Sequence, residues 1–259
     1  MYTLSKTPAK SIPLTVVISE ETQAILKEIS NRDYKTSDDL PRKFRLTYTS
    51  RLKDVSAFGN IVELDLSGCR SLVDVSALYN VRILRLAQCK RVCDVSALGN
   101  VESLDISSTG VSVISMLGNV RKLDIGRCRN IKEIPDLDNV EELYAISVDT
   151  NRIGTLKSAK IVCLSYNSLI EDVSMLGHVK KLELCDCDKL VVVRALANVK
   201  ELHLRGCSNL VDISMLGNVK RLDIRNCERI TDISAVIDVP SLKWGFKKGD
   251  PFKSSGQYH

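Results

Sequence analysis

The sequence predicts an α/β solenoid, a chain wound into short stacked coils with a parallel β-sheet along one side. Three observations lead there. A twenty-residue template recurs, as in DVSAFGNIVELDLSGCRSL, DVSALYNVRILRLAQCKRV, DVSALGNVESLDISSTGVS and DISMLGNVKRLDIRNCERI. Apolar and polar residues alternate with period two over V-x-x-L-x-L, the sign of a short strand with one buried face. The copies also share their punctuation, an aspartate before V/I-S and an asparagine, mostly after glycine, before the next valine or isoleucine.

In chain order, residues 1–42 read as a cap, 43–242 as about eleven coils with the last incomplete, and 243–259 as a C-terminal cap and basic tail. In the cap, Leu14–Ile18 reads as a strand and Ser19 as the N-cap of a helix over 20–30, with Ala24, Ile25, Ile29 and Leu26 facing the first coil. Counted from the valine, a coil reads V-x-x-L-x-L-x-x-C-x-x-L-x-D-V-S-A-L-G-N, burying positions 1, 4, 6, 9, 12, 15 and 18. The first leucine falls at Leu64, Leu84, Leu104, Leu123, Leu143, Leu164, Leu182, Leu202, Leu222 and Leu242, with Phe44 opening a degenerate first copy. No coil can bury this set alone, so stacking is required, giving a sheet about 50 Å long at about 4.8 Å per strand.

The turns have their own chemistry. A small thiol at position nine (Cys69, Cys89, Cys128, Cys187, Cys207, Cys227) can pack inward and donate to a backbone carbonyl. Asp74, Asp94, Asp172, Asp212 and Asp232 stand where they can cap a single 3₁₀ turn. Gly59, Gly99, Gly118, Gly177 and Gly217 are expected to end that turn at positive φ. The asparagines that follow (Asn60, Asn80, Asn100, Asn119, Asn139, Asn198, Asn218) are expected to satisfy backbone groups. Val148–Lys160 lacks the turn signature, so a local bend or bulge is expected there. Trp244 and Phe246 are expected to shield the last coil, and the segment after them to be disordered.

This template resembles the leucine-rich repeat family, L-x-x-L-x-L-x-x-N/C-x-L, over roughly residues 43–242. The short cysteine-type copies are similar to repeats in multicopy proteins of large amoebal DNA viruses and in bacterial internalin-like proteins. The resemblance implies a right-handed, arc-shaped solenoid with the strands on its concave face. It also implies non-catalytic binding of a partner protein there.

Composition excludes several classes. The 259 residues carry 44% hydrophobic but only 5% aromatic side chains, so an aliphatic core is expected. No run approaches the roughly twenty apolar residues of a membrane span, and no secretory signal is visible, so neither a membrane partner nor export is expected. The net charge is +5, of which +3 lies in residues 243–259. That is far from the dense cationic surface of a nucleic-acid binder. Nine cysteines without an export signal point to free thiols in a reducing cytoplasm, a host cell's if the protein is viral. No P-loop, dinucleotide fingerprint or H-E-x-x-H is present, and no cofactor, metal or small-molecule substrate is expected.

Candidate binding residues are the outward strand positions. The fifth position offers Asp65, Arg85, Asp105, Asp124, Tyr144, Ser165, Glu183, His203, Asp223 and Lys243. The seventh offers Ser67, Ala87, Ser107, Gly126, Ile146, Asn167, Cys185, Arg205 and Arg225. Tyr144 with Ile146 is the aromatic-plus-aliphatic spot suited to an interface anchor. Cys185, His203 and Asp223 could meet across three strands as a nucleophilic set, but an open sheet offers no obvious oxyanion donor and no exclusion of water. The Cys185–Cys187 pair alternates faces and so cannot chelate one metal. The expectation is a binding protein rather than an enzyme. A structural component working through convex turns or caps is the alternative, and a Cys-His hydrolase the remotest reading.

Overall fold

The computed structural model describes residues 15–245. One helix, α1 (Glu20–Ser30), leads into strands β1 (Lys43–Arg45), β2 (Glu63–Asp65), β3 (Ile83–Arg85), β4 (Ser103–Asp105) and β5 (Lys122–Asp124). There follow β6 (Glu133–Ile134), β7 (Glu142–Tyr144), β8 (Arg152–Ile153), β9 (Ile161–Cys163), β10 (Lys181–Glu183), β11 (Glu201–His203), β12 (Arg221–Asp223) and β13 (Ser241–Lys243). Eleven of these form one parallel sheet in chain order, and β6 and β8 pair separately. Together with the short 3₁₀ turns opposite the sheet and the twenty-residue repeat, this is a leucine-rich repeat solenoid.

The seven inward rows are buried as the repeat requires. In one coil Ile61, Leu64, Leu66, Cys69, Leu72, Val75 and Leu78 are all withdrawn from solvent, each fully buried leucine contributing about 2 kcal/mol of gross stabilisation. Six thiols line the bend and donate to the preceding coil: Cys69 to Leu46 O, Cys89 to Leu66 O, Cys128 to Ile106 O, Cys187 to Leu164 O, Cys207 to Leu184 O and Cys227 to Leu204 O, at 3.0–3.4 Å. Burial pushes these thiols up, Cys89 and Cys187 to about 12, so they stay protonated donors.

The aspartate caps form as expected. The N–H of the serine two residues on donates to Oδ1 of Asp74, Asp94, Asp172, Asp212 and Asp232 at 2.8–3.0 Å, and Asp54 does the same at 2.9 Å. In Asp74, Asp94, Asp172 and Asp232 that N–H bond is the main reason the carboxyl lies below its ordinary range.

Several expectations are corrected. The turn glycines do not adopt positive φ: Gly59, Gly99, Gly118 and Gly177 sit near −60°, and Gly217 lies inside the 3₁₀ segment Ser214–Asn218. At Gly99 the requirement is space, since a Cβ would fall 2.5 Å from the Met116 carbonyl oxygen of the next coil. The left-handed residues form a different row, at position eight: Tyr48, Gly68, Gln88, Ser108, Arg127, Ser147, Tyr166, Asp186, Gly206 and Asn226, with φ of 55–76°. Their N–H groups reach the next coil, as in Gln88 N to Ser107 O at 2.8 Å, which holds a conformation that costs an L-residue about 1–2 kcal/mol. Of the turn asparagines, Asn139 donates to a backbone carbonyl, Gly118 O, at 2.9 Å; the others make no such described bond.

At the N-terminal end α1 starts where Ser19 predicts, but Ser19 caps no backbone group and instead donates to Thr22 Oγ1. The helix buries Thr22, Ile25 and Leu26, leaving Ala24 and Ile29 exposed. The expected strand reduces to one antiparallel bridge, Val17 to Thr36, with Leu14 outside the described residues. At the other end Trp244 packs partly buried against the core; Phe246 and the segment after it lie outside the described residues. In the stretch without a turn signature, the β6–β8 pair replaces the 3₁₀ turn. Buried Thr150 ties it down, donating to Lys132 O at 2.9 Å.

The register around β9 is also corrected. Val162, not Leu164, stands in line with Leu143 and Leu182. Leu164 is therefore the sixth-position residue, Cys163 and Ser165 take the outward fifth and seventh positions, and Asn167 turns inward at the ninth, fully buried.

Candidate functional site

Parity along each strand sends positions three, five and seven out of the sheet, and parallel pairing aligns them into rows. Asp65, Arg85, Asp105, Asp124 and Tyr144 stand in register on consecutive strands of the main sheet, as do Glu183, His203 and Asp223. The structure thus assembles the fifth-position candidates into one row, with Cys163 in place of Ser165 between Tyr144 and Glu183.

The aspartates in this row do a backbone task as well. Asp65, Asp105, Asp124 and Asp223 each accept through Oδ1 the N–H of the residue two further on, at 3.1, 2.9, 2.8 and 3.2 Å. That bond closes the strand into its bend. Arg225 also grips Asp223 at 2.6 Å; burial pushes the Asp223 carboxyl up, and the arginine outweighs it and holds the carboxyl low. Asp124 has no such partner among the described residues, and burial leaves its carboxyl raised.

Charged neighbours largely neutralise one another across strands. Glu63 takes Lys43 at 3.1 Å and Arg85 at 3.0 Å. Glu201 takes Arg221 at 2.6 Å, His203 at 3.2 Å and Lys181 at 3.4 Å, while Lys181 also meets Glu183 at 2.9 Å. Arg205 lies 3.9 Å from Asp186. These third-position partners (Glu63, Lys122, Glu142, Lys181, Glu201, Arg221) were not among the sequence candidates. The parity that places Glu63 on the outward face was the available signal.

Tyr144 is the aromatic side chain of the fifth-position row. Its hydroxyl donates to Glu142 Oε2 at 3.2 Å, and Lys122 Nζ lies 5.3 Å from the ring centroid while bonding Glu142 at 2.8 Å. The ring is thus contacted by both Lys122 and Glu142, and Ile146 lies half-buried two residues on. Next to Tyr144, the small Cys163 and Ser165 are buried beneath their neighbours.

The nucleophilic set is not assembled. His203 Nε2 faces Glu201, not Cys185, and the Cys185 backbone N–H, rather than its thiol, makes the local bond, to Ser165 Oγ at 3.1 Å. Burial pushes the Cys185 thiol up, opposite to the shift a nucleophile needs. Cys185 and Cys187 alternate faces, the second fully buried.

No family model matches the sequence, and no curated protein matches it. Among solved structures, the chain is similar to an internalin, inlF, from Listeria monocytogenes: 17% identity over 89% of this chain and 94% of that one, TM-score 0.48. It is similar to internalin C2 of the same organism at 15% identity over 89% and 94%, TM-score 0.46. A leucine-rich repeat protein of Leptospira interrogans is similar at 16% identity over 66% and 62%, TM-score 0.35. The assignment to the leucine-rich repeat fold rests on this chain's own sheet, turns and repeat.

Proposed function

We propose that the chain is a non-catalytic scaffold that binds a partner protein through the outward strand face, with Tyr144 and Ile146 as its anchor. The observation that carries this is the preorganised Tyr144 ring, clamped by Lys122 and Glu142 beside the small, buried Cys163 and Ser165. A large aromatic already held in place loses little conformational freedom on binding, which is where interfaces gain most. Asp65, Arg85, Asp105, Asp124, Glu183, His203, Arg205, Asp223 and Arg225 then set polarity and register around it.

The test is affinity capture with Tyr144→Ala and Asp124→Arg. Tyr144→Ala is expected to keep the thermal midpoint close to wild type, Asp124→Arg to lower it through loss of the Gly126 N–H bond while still folding, and both to lose captured protein. Undiminished capture by two folded variants contradicts the assignment. Exposed Val191, Val192 and Val211 on the flank opposite the face favour a second reading, assembly through the turns. Val192→Asp would disrupt that assembly and leave strand-face binding intact.

A further inference from the structure

Just before each strand, position two forms a row of its own on the sheet's lip. Its backbone is bonded rung to rung, as in Lys180 N to Lys160 O at 3.0 Å, Lys200 N to Lys180 O at 3.1 Å and Lys220 N to Lys200 O at 3.0 Å. In the middle of the molecule the signs alternate, and each cation meets an anion: Arg82 with Glu102, Arg121 with Glu141, and Lys160 with Glu141. Beyond Lys160 the alternation stops. Lys180, Lys200 and Lys220 follow on consecutive strands, all exposed and without an ion pair among the described residues. The nearby Glu201 is already engaged by Arg221, His203 and Lys181.

Like charges directly stacked on neighbouring strands repel, and the rest of this row avoids them. Beside the lysines run Asn198 and Asn218, exposed, with side-chain amides that make no described hydrogen bond. The lip therefore presents ammonium donors flanked by amide donors over three rungs, a span of about 10 Å. Carboxylates at i, i+4 and i+7 on a helix span about 10 Å as well, whereas three same-face side chains on an extended strand span about 13 Å. An aromatic row on which bases could stack is missing from this lip among the described residues.

We propose that the Lys180–Lys200–Lys220 lip docks an acidic helical segment of a protein partner. This names the chemistry of the partner in the preceding section and rests on that partner being a protein, but it is carried by a different row of side chains.

The experiment titrates the full chain against a labelled helical peptide with glutamates at i, i+4 and i+7, read by fluorescence anisotropy at low and near-physiological salt. Expected is saturable binding that weakens with salt and falls about tenfold or more in K180Q/K200Q/K220Q. The lysine-to-arginine triple variant and R82Q, whose arginine is already paired, are expected to bind as wild type. A peptide with the same glutamates scattered round the helix should bind more weakly. Unchanged binding by the triple glutamine variant overturns the proposal, as does tighter binding of a single-stranded oligonucleotide of equal charge. Because the probe is a peptide alone, Tyr144→Ala should not affect it, so failure here and failure of strand-face capture are separable.

Discussion

The coils of β10, β11 and β12 place Cys187, Cys207 and Cys227 at the bend after the strand, and each thiol donates to one carbonyl of the coil before it. The coil of β9 places Asn167 there instead. Its Oδ1 accepts from Val148 N at 2.6 Å, and its Nδ2 donates to Ala145 O at 2.8 Å and Leu164 O at 2.7 Å. The preceding coil is one of the two, those of β5 and β7, in which the β6–β8 pair stands in place of the 3₁₀ turns, and its Val148 N–H bonds Asn167 rather than a carbonyl of its own bend. The difference shows what a thiol or amide at the ninth position does: it closes backbone polar groups inside an otherwise apolar stack. A thiol serves one carbonyl, and the amide serves a donor and an acceptor at once, Val148 N–H and Ala145 O, while sharing Leu164 O with the Cys187 thiol.

This difference predicts unequal losses. Asn167→Ala leaves two buried backbone groups, Val148 N–H and Ala145 O, without the side-chain partner they have, and is expected to cost about 3 kcal/mol. Cys207→Ala removes one weak donor and a sulfur's volume, about 1–2 kcal/mol. Denaturant midpoints check both, and equal losses would break the comparison.

A smaller effect is expected at the caps. Asp172→Ala should cost about 1 kcal/mol at neutral pH. Its carboxyl lies below its ordinary range in the folded state because Ser174 N–H bonds to it. The contribution is therefore fully present above about pH 4 and lost as pH falls through the lower folded value. Stability measured against pH should show the variant and wild type converging in acid.

The smallest effect has the opposite sign. Burial raises the Asp124 carboxyl, so its ionised form weakens the fold as pH rises through and above the ordinary carboxylate range. Asp124→Asn keeps an oxygen for Gly126 N–H and removes the buried charge. A slightly higher thermal midpoint at neutral pH, vanishing near pH 3, is expected; a lower midpoint would show that the charge itself holds the bend.

Much of this was legible in the residues. The inward rows, the thiol donors and the aspartate caps follow from side-chain period and size alone. The register at β9 was not, because Ile161-Val162-Cys163-Leu164 offers apolar residues in both phases and a leucine in the wrong one. The left-handed row was hidden for another reason: Tyr48, Gln88, Ser108 and Arg127 share no side-chain chemistry, and stacking of the coils imposes their φ. On the face, Tyr144 and the charged rows were readable from parity, while the clamp of Lys122 and Glu142 needed the third row in view. The uncompensated lysine lip lies just outside the strands, where alternation gives no guidance.

Tyrosine footprinting of the captured complex tests the central claim most directly, because the molecule carries its own control. Tyr144 stands on the strand face, and exposed Tyr79 follows a 3₁₀ turn on the opposite side. Binding through the strand face predicts that the partner protects Tyr144 and leaves the modification rate of Tyr79 unchanged. Protection of Tyr79 with Tyr144 still reactive would contradict it and assign the docking surface to the turns.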